Sequence, residues 1–210
     1  VVLVERLEEK MKLMEMIVSL AYMAKCNFND VFSPVKMWDC IIYNHLREQN
    51  IVIPPKKHEQ KTDTYEGAYV KDPQVGRHKW VCSFDLNSLY PHLIMQYNIS
   101  PETLLGMHSK GGMVNALLDQ EIDTDFLKEK NITMTPNGSL YSRKKQGFLP
   151  ALMEKMYTDR VKYKKMMLEE QKKGKSADTN KLAQYHNMQI NLKIALNSAY
   201  GALGNQWFRF

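Results

Sequence analysis

The sequence predicts an α+β fold in which helices come first, strands follow, and a long helical hairpin comes last. Near the start, apolar residues recur at three- and four-residue steps, as on an amphipathic helix. The middle of the chain has short runs of β-branched and aromatic residues, and two long helical patterns follow a polar stretch. The 210 residues are enough for one sizeable core or two small ones.

The first two elements are predicted as helices. Apolar residues such as Leu3, Leu7 and Met11 predict one amphipathic helix over residues 2–25. "NFNDVFSP" interrupts it, and "VKMWDCIIYNHLREQ" predicts a second helix that begins just after Pro34. The proline-containing connector "IVIPPKKHEQKTD" is the first candidate domain boundary.

The middle of the chain is predicted to hold two strands and a short helix. Residues 65–70 and 79–86 are rich in β-branched and aromatic residues, so both are predicted as strands. Ser88 is placed to cap the next helix, and Pro91 falls in its first turn, where the missing N–H costs nothing. The Asn137-Gly138 pair predicts a tight hairpin turn further along.

The second half is predicted as an antiparallel helical hairpin. Residues 150–172 and 181–200 both have strongly helical patterns, and the polar segment "KKGKSADTN" joins them. Helices of ~20 residues are ~30 Å long, and so short a connection makes them antiparallel neighbours.

Several classes of protein are disfavoured by composition. No apolar stretch approaches the ~20 residues that span a bilayer, and no signal sequence precedes the first helix. Cys26, Cys40 and Cys82 are far apart and form no CxxC pair, which argues against a structural zinc site and suits a reducing cytosol. Because the chain begins without Met and ends in the apolar "NQWFRF", we interpret it as a piece of a longer polypeptide.

Positive charge is concentrated in one segment. Residues 141–175 contain eleven Lys or Arg against four Asp or Glu, whereas the whole chain has a net charge of +6. Such a patch is expected where a protein faces phosphates. The alternative is a solvated lysine-rich helix, which charge alone favours.

Asp85 is the candidate metal ligand. It stands where a predicted strand ends and a helix begins, a common position for functional carboxylates. The alternative is that Asp85 caps the helix, but Ser88 is better placed for capping. An unpaired buried carboxylate costs several kcal/mol, and a divalent metal ion would offset that cost.

A candidate phosphate-binding set lies on the predicted hairpin. Lys193, Asn197 and Tyr200 are spaced four and three apart and share one helix face. Arg160 and Lys164 are four apart on the other helix, and closure of the hairpin would bring the cations together to suit a triphosphate. For Arg160 and Lys164 alone, chance spacing on a lysine-rich helix is the favoured alternative.

Two glycines follow the second helix of the predicted hairpin, and a P-loop-like tripeptide lies in the segment that joins its helices. Gly201 and Gly204 follow the last helical run directly and would permit a close approach by another backbone or a base pair. The "GKS" at 174–176 is not a P-loop, because Glu169 occupies the position where that motif needs glycine.

Two motifs resemble family B DNA polymerases. "DLNSLYP" (85–91) resembles their motif A, and "KIALNSAYG" (193–201) resembles their motif B. The phrases "NISPET", "PNG", "GALGNQWFR" and "YMAKCNFNDVFSPVKMWD" are similar to those of replicative polymerases from T-even-like bacteriophages. The resemblance covers nearly the whole chain in the order that the family uses.

The resemblance implies roles for the residues of motif A. Asp85 would be one of two carboxylates that bind a catalytic Mg²⁺ pair, with the Leu86 carbonyl as a further ligand. The main-chain N–H groups of Ser88 and Leu89 would bind the triphosphate. Tyr90 matches the steric gate, whose ring lies under the sugar and excludes a ribose 2′-hydroxyl.

The same resemblance implies nucleotide- and DNA-binding roles for residues outside motif A. The residues that match nucleotide-holding positions of the fingers are Arg160, Lys164, Lys193 and Asn197. The residues that match contacts to DNA are Tyr200 and Gly201 beside the nascent base pair, and Tyr65 and Gly67 beside the template strand.

The chain departs from the family pattern at three points. His92 replaces a small residue after "SLYP"; we interpret it as a helix-surface substitution, with a role beside the metal as the alternative. The fingers hairpin is shorter than in the T-even phages. The second metal carboxylate follows motif B in the family and is absent here, and the "DTD" at 123–125 is interpreted as a chance match because it precedes motif B.

The resemblance also implies a domain organisation. Residues 1–56 would be trailing helices of an exonuclease region and a connector, and residues 57–146 the N-terminal part of a palm with mixed or antiparallel strands. Residues 147–205 would form the fingers hairpin, and residues 206–210 would begin the palm continuation.

The implied function is template-directed addition of dNTPs to a primer 3′-hydroxyl in the cytoplasm, with no membrane partner. The implied partners are primer-template DNA, dNTPs and a C-terminal palm and thumb in the same or a separate chain, with a sliding clamp as a further candidate. The alternatives are a non-catalytic nucleic-acid-binding module and one half of a split polymerase. We expect the 210 residues alone to be inactive, because they supply only part of the two-ion site.

Overall fold

The computed structural model describes residues 1–53, 55, 70–108 and 121–210. Over these residues the fold is α+β and rich in helix, with one small antiparallel sheet, as the sequence predicts at this level. Tyr65 and Gly67, the predicted template contacts, lie outside the described residues, as does most of the strand predicted at 65–70.

The described elements alternate between helices and short strands. The helices are α1 Val2–Met11, α2 Leu13–Ala24, α3 Pro34–Glu48, α4 Leu89–Tyr97, α5 Asp125–Glu129, α6 Phe148–Lys172 and α7 Thr179–Leu203. The strands are β1 Leu104–Met107, β2 Ile132–Met134 and β3 Ser139–Ser142. Short 3₁₀ turns occupy Phe28–Phe32, Pro101–Thr103 and Gly174–Ser176.

The single helix predicted over residues 2–25 is wrong in one respect, because it is broken at Lys12. Lys12 adopts a left-handed conformation (φ 53°), which ends α1 and starts α2. The Glu8 carboxylate accepts a hydrogen bond from the Met14 N–H (3.0 Å), so a side chain caps the new helix. The apolar side chains of α1 are exposed, whereas α2 buries Leu20 and Ala24.

Helix α3 follows its prediction closely. Pro34 occupies its first turn, and the Ser33 hydroxyl caps it by accepting from the Lys36 N–H (3.5 Å). Trp38 is buried and its indole Nε1–H donates to the Ala195 carbonyl (3.0 Å) on α7. This bond ties α3 to the middle of the last helix.

The main core lies where α2, α3, α4, α6 and α7 meet. Its fully buried members come from all parts of the chain and include Ile42, Met153, Ala195, Leu196 and Ala202. The long helices α6 and α7 pack against one another as the predicted hairpin. Because α2 and α3 join the same cluster, the early helices support the hairpin directly.

The strand predicted at residues 79–86 is wrong. This stretch has no strand pairing in the described part of the chain, and its apolar side chains point to solvent, with Trp80 98% and Phe84 93% exposed. A run of β-branched and aromatic residues forms a strand only where another strand supplies hydrogen-bonding partners. The composition of residues 79–86 is typical of a strand, but it does not show whether these residues pair with another strand.

The sheet lies later in the sequence and is antiparallel throughout, in the order β1-β3-β2. The predicted Asn137-Gly138 turn is present between β2 and β3, with Gly138 at φ 86°. The Thr135 N–H donates to the Ser139 carbonyl (2.9 Å) and closes the turn. Strand β1 was not predicted from the sequence.

The "NISPE" segment caps the long helix α6. The Asn98 side-chain oxygen accepts from the Gly147 N–H (2.9 Å), and a Glu102 carboxylate oxygen accepts from the Phe148 N–H (2.6 Å). The Asn98 amide also donates to the carbonyls of Ser142 (2.6 Å) and Lys145 (2.9 Å). These bonds satisfy donors that a helix N-terminus leaves open and fix α6 against the sheet.

The tip of the hairpin is held by Glu170. Its carboxylate accepts from the Lys173 ammonium (2.6 Å) and from the Asp178 N–H (2.8 Å), the residue that caps α7. The hydrogen bond from Lys173 holds the pKa of Glu170 below its ordinary value and raises the pKa of Lys173. The charged pair thus fixes the turn between the two long helices.

Within the part of the chain that the structure describes, none of the helices combines the length and apolar character that crossing a bilayer demands.

Candidate functional site

The turn that starts α4 is the centre of the candidate site. Ser88 occupies the N-cap position in a left-handed conformation (φ 52°, ψ 46°), which is unfavourable for a residue with a side chain. Its hydroxyl does not cap the helix, contrary to the prediction. The main-chain N–H groups of Ser88 and Leu89 make no hydrogen bond to other described residues, so both donors remain open.

Arg160 of α6 reaches this turn. Its Nη1 donates to the Ser88 hydroxyl (3.2 Å). The left-handed backbone of Ser88 explains why this hydroxyl does not cap α4, because a capping residue normally has extended φ and ψ angles. The Arg160 Nε is buried and makes no hydrogen bond to the described residues. A guanidinium with an unsatisfied buried donor is suited to an anion, because bidentate binding would satisfy it.

The rings of Tyr90 and Tyr200 join α4 to α7. They are stacked with centroids 4.2 Å apart and an interplanar angle of 11°. Both side chains remain partly open to solvent, at 42% and 38%. The stack therefore forms a flat aromatic surface beside the Ser88 turn rather than part of the closed core.

A histidine that the sequence placed on the helix surface contacts the same turn. His92 Nδ1 lies 2.9 Å from the Ser88 carbonyl oxygen, and its ring meets the Tyr157 ring edge-on at 4.7 Å. Neither contact was predicted. The sequence offered two signals for these contacts. Ser88 and His92 are four residues apart on one helix, and Tyr157 and Arg160 are three apart on another.

The remaining candidates for phosphate binding are exposed. Lys193 and Asn197 lie on the solvent-facing side of α7, and Lys164 is exposed on α6. No hydrogen bond or ion pair within the described residues joins these three side chains to Arg160 or to one another. The structure thus brings Arg160 to the turn and leaves the two lysines and the amide available to a ligand.

Gly201 and Gly204 differ from their prediction. Helix α7 continues to Leu203, so Gly201 lies inside its last turn and only Gly204 follows it, with ordinary helical φ (−77°). A Cβ built at Gly201 meets no atom within 4 Å, so the helix surface there is open. An open helix surface beside Tyr200 leaves room for another molecule.

Asp85 lies on the extended segment before the turn. Its side chain is exposed and has no hydrogen bond or ion pair with the described residues. Asp85 is therefore not the buried carboxylate that the sequence predicted, although its side chain is available as a ligand. Leu86 is also exposed. The described residues contain no cluster of three or more His, Cys, Asp or Glu side chains that would hold a metal ion by itself.

The "DTD" at 123–125 has a local structural role. The Asp123 carboxylate accepts from the Asp125 N–H (2.9 Å) at the start of α5. Such a bond is typical of an Asx turn.

Comparison with known proteins gives consistent matches. The sequence profile described as DNA polymerase family B matches residues 35–210. The DNA-directed DNA polymerase of Escherichia phage RB69 is 32% identical over 98% of this chain and 27% of its own length. That of Enterobacteria phage T4 is 31% identical over 93% of this chain and 26% of its own length.

The fold has a counterpart among solved structures. The family B DNA polymerase from the hyperthermophilic archaeon Pyrobaculum calidifontis superposes with a TM-score of 0.66 at 23% identity, over 96% of this chain and 24% of that chain. This chain therefore spans about a quarter of the length of each of these three polymerases. Since the profile covers most of the 210 residues, the chain belongs to DNA polymerase family B.

Proposed function

We propose that these residues form the nucleotide-binding part of a DNA-directed DNA polymerase, which adds dNTPs to a primer 3′-hydroxyl as the template directs. The stacked contact between Tyr90 and Tyr200 carries this proposal. It joins the two polymerase-like motifs across a sequence separation of more than one hundred residues and leaves both rings accessible. The phage relatives named DNA-directed DNA polymerase support the reaction class.

The incoming nucleotide is proposed to bind at the Ser88 turn. Arg160, with its buried unsatisfied Nε, would grip the triphosphate together with the open N–H groups of Ser88 and Leu89. The exposed groups proposed to complete the phosphate contacts are Lys164, Lys193 and Asn197. Binding by several fixed donors would orient the α-phosphate for attack.

The sugar and base are proposed to lie against the aromatic surface. Tyr90 would lie under the sugar, where a ribose 2′-hydroxyl would clash with its ring. Tyr200 and Gly201 would face the nascent base pair, and the open space around Gly201 allows such an approach. Tyr65 and Gly67 remain proposed template contacts by family resemblance alone.

Magnesium is the proposed cofactor, and the residues present fit part of its site. Asp85 is an exposed carboxylate without a partner among the described residues, and oxygen ligands are those that Mg²⁺ prefers. Asp85 and the Leu86 carbonyl would hold the ions with ligands from elsewhere, since the described residues lack a complete set. Bound ions would activate the 3′-hydroxyl and stabilise the leaving pyrophosphate.

The domain assignment follows the same proposal. Residues 147–205, which include α6 and α7, would be the fingers, and residues 57–146 with the antiparallel sheet would belong to the palm. Residues 1–56 would be exonuclease-side helices with a connector, and residues 206–210 would begin the palm continuation. The proposed partners are primer-template DNA, dNTPs, a C-terminal palm and thumb, and a sliding clamp, in the cytoplasm.

A non-catalytic nucleic-acid-binding module is the second candidate, favoured by the lysines exposed on α6.

Substitution of Asp85 distinguishes the polymerase from the binding module, because DNA affinity depends on neutralisation of phosphates and not on this carboxylate. In the complete polypeptide that carries these residues, Asp85→Ala is expected to lower primer extension by more than roughly a hundredfold while DNA affinity stays within about twofold. The matched control is Asp72→Ala, an exposed acid outside the site. Extension at the control rate by Asp85→Ala would refute the catalytic assignment.

A further inference from the structure

We propose that His92 is a positioning residue, which holds the turn at Ser88 and Leu89 in its nucleotide-binding conformation by a hydrogen bond from Nδ1 to the Ser88 carbonyl. The inference rests on the proposed function, because it concerns the same nucleotide pocket. It gives a role to the residue at which the chain departs from the family pattern.

The geometry fixes which nitrogen carries the proton. His92 Nδ1 lies 2.9 Å from the Ser88 carbonyl oxygen, and a carbonyl oxygen only accepts hydrogen bonds. Nδ1 must therefore be protonated and donate. The main-chain N–H of His92 also donates to this oxygen (3.2 Å), so one residue supplies both donors and satisfies both lone pairs.

The turn needs such support because of its backbone conformation. Ser88 has a left-handed φ of 52°, and its hydroxyl is not spent on capping α4. Residues with a Cβ hold this conformation only when surrounding contacts impose it. The bond from His92 anchors the carbonyl of Ser88, while Arg160 anchors its hydroxyl (3.2 Å).

Helix α6 holds both anchors. The Tyr157 ring meets the His92 ring edge-on, with centroids 4.7 Å apart and an interplanar angle of 80°. Tyr157 precedes Arg160 by three residues, so the two side chains project from the same face of α6. The aromatic contact fixes the imidazole in the orientation that the hydrogen bond requires. Movement of α6 would therefore move the turn through two neighbouring contacts.

The protonated nitrogen can be observed directly. Long-range proton–nitrogen NMR spectra of the 210-residue chain at pH 8 should show His92 protonated at Nδ1 and bare at Nε2. A bare Nδ1 would contradict the hydrogen bond, whatever the polymerase activity. This result is therefore independent of the Asp85→Ala experiment, which tests the proposed function.

Two variants separate the hydrogen bond from the ring contact in the complete polypeptide. His92→Asn keeps a donor near the position of Nδ1, whereas His92→Phe keeps the ring against Tyr157 and removes the donor. Loss of one neutral hydrogen bond should raise the KM for dNTP roughly threefold to tenfold in His92→Phe, with kcat nearly unchanged. His92→Asn should stay within about twofold of the wild type.

The matched control is His186→Asn, an exposed histidine two turns before Lys193 on α7, which should leave KM unchanged. Equal KM values in wild type and His92→Phe would overturn the proposal. Equal losses in His92→Asn and His92→Phe would assign the effect to ring packing and would also overturn it.

Discussion

The Tyr90 ring lies parallel to the Tyr200 ring at a centroid distance of 4.2 Å, although the two residues belong to different helices, α4 and α7. Offset parallel rings at such distances attract one another beyond the area that they bury. Tyr200 therefore fixes the plane of the Tyr90 ring. If Tyr90 contacts the sugar, the discrimination between deoxyribonucleotides and ribonucleotides depends on Tyr200.

This relationship predicts a contrast between two variants of Tyr90. Tyr90→Phe keeps the stack, so discrimination against ribonucleotides should remain close to wild type. Tyr90→Ala removes the ring and should reduce the ratio of dNTP to rNTP kcat/KM on the order of tenfold to a hundredfold. Single-nucleotide incorporation by the complete polypeptide measures both ratios. Unchanged discrimination in Tyr90→Ala would rule out the sugar contact.

A second prediction concerns the start of α6. A Cβ at Gly147 would lie 2.5 Å from the Ser100 Cβ and 3.2 Å from the Thr103 Cγ2, both of which are buried. Gly147→Ala must push these groups apart and disturb the Asn98 cap, so it should lower the free energy of unfolding by about 1–3 kcal/mol. Urea denaturation of both chains measures the difference.

The control for that substitution is Gly201→Ala. It lies inside α7, where an added Cβ meets nothing within 4 Å. Alanine should therefore stabilise the helix by roughly 0.5–1 kcal/mol. Destabilisation by Gly201→Ala, or unchanged stability in Gly147→Ala, would contradict the packing around these two glycines.

The helices could be predicted from sequence because their signals are local. Ser33 and Pro34 mark the start of α3, and the apolar periods of α6 and α7 give the hairpin. The break at Lys12 could not be predicted, since lysine has no preference for left-handed backbone. The strand at residues 79–86 failed because strands depend on partners distant in sequence.

The contacts around the Ser88 turn could not be predicted from sequence for a related reason. The resemblance assigned Arg160 to the fingers and Tyr200 to motif B, but it did not indicate what their side chains contact. The bonds from Arg160 to Ser88 and from His92 to the Ser88 carbonyl depend on how α4 packs against α6. The capping of α6 by Asn98 likewise spans 49 residues. Such contacts have no period in the sequence.

A third prediction concerns the indole of Trp38. Its Nε1–H donates to the Ala195 carbonyl (3.0 Å) and approaches the Ser198 hydroxyl (3.2 Å), and both lie on the helix that carries Lys193 and Asn197. Trp38→Phe should lower the free energy of unfolding by about 1–3 kcal/mol, since it removes the bond and leaves a cavity. Thermal and urea unfolding measure the change. Trp207→Phe, at an exposed tryptophan, is the control and should have little effect.

A fourth prediction concerns pH and the hairpin tip. The Lys173 hydrogen bond and the Asp178 N–H hold the pKa of Glu170 below its ordinary value of 4.5. A carboxylate with a lowered pKa in the folded state contributes its full stability above the ordinary value. That contribution is lost as the pH falls through the folded-state pKa. The difference in unfolding free energy between wild type and Glu170→Gln should therefore be largest near neutral pH.

Denaturation of both proteins between pH 3 and pH 7 tests this expectation. The difference should be constant from about pH 6 to pH 7 and should shrink below pH 4.5, where the unfolded chain protonates Glu170 first. It should disappear below the folded-state pKa, where the folded wild type is also protonated at Glu170 and resembles the glutamine variant. Glu169→Gln removes a charge from the exposed neighbouring position while leaving both hydrogen bonds of Glu170 in place, and it is the matched control. A Glu170→Gln difference that stays constant down to pH 3 would mean that the charge of Glu170 does not hold the turn. In that case the two hydrogen bonds would fix the tip equally well with a neutral side chain.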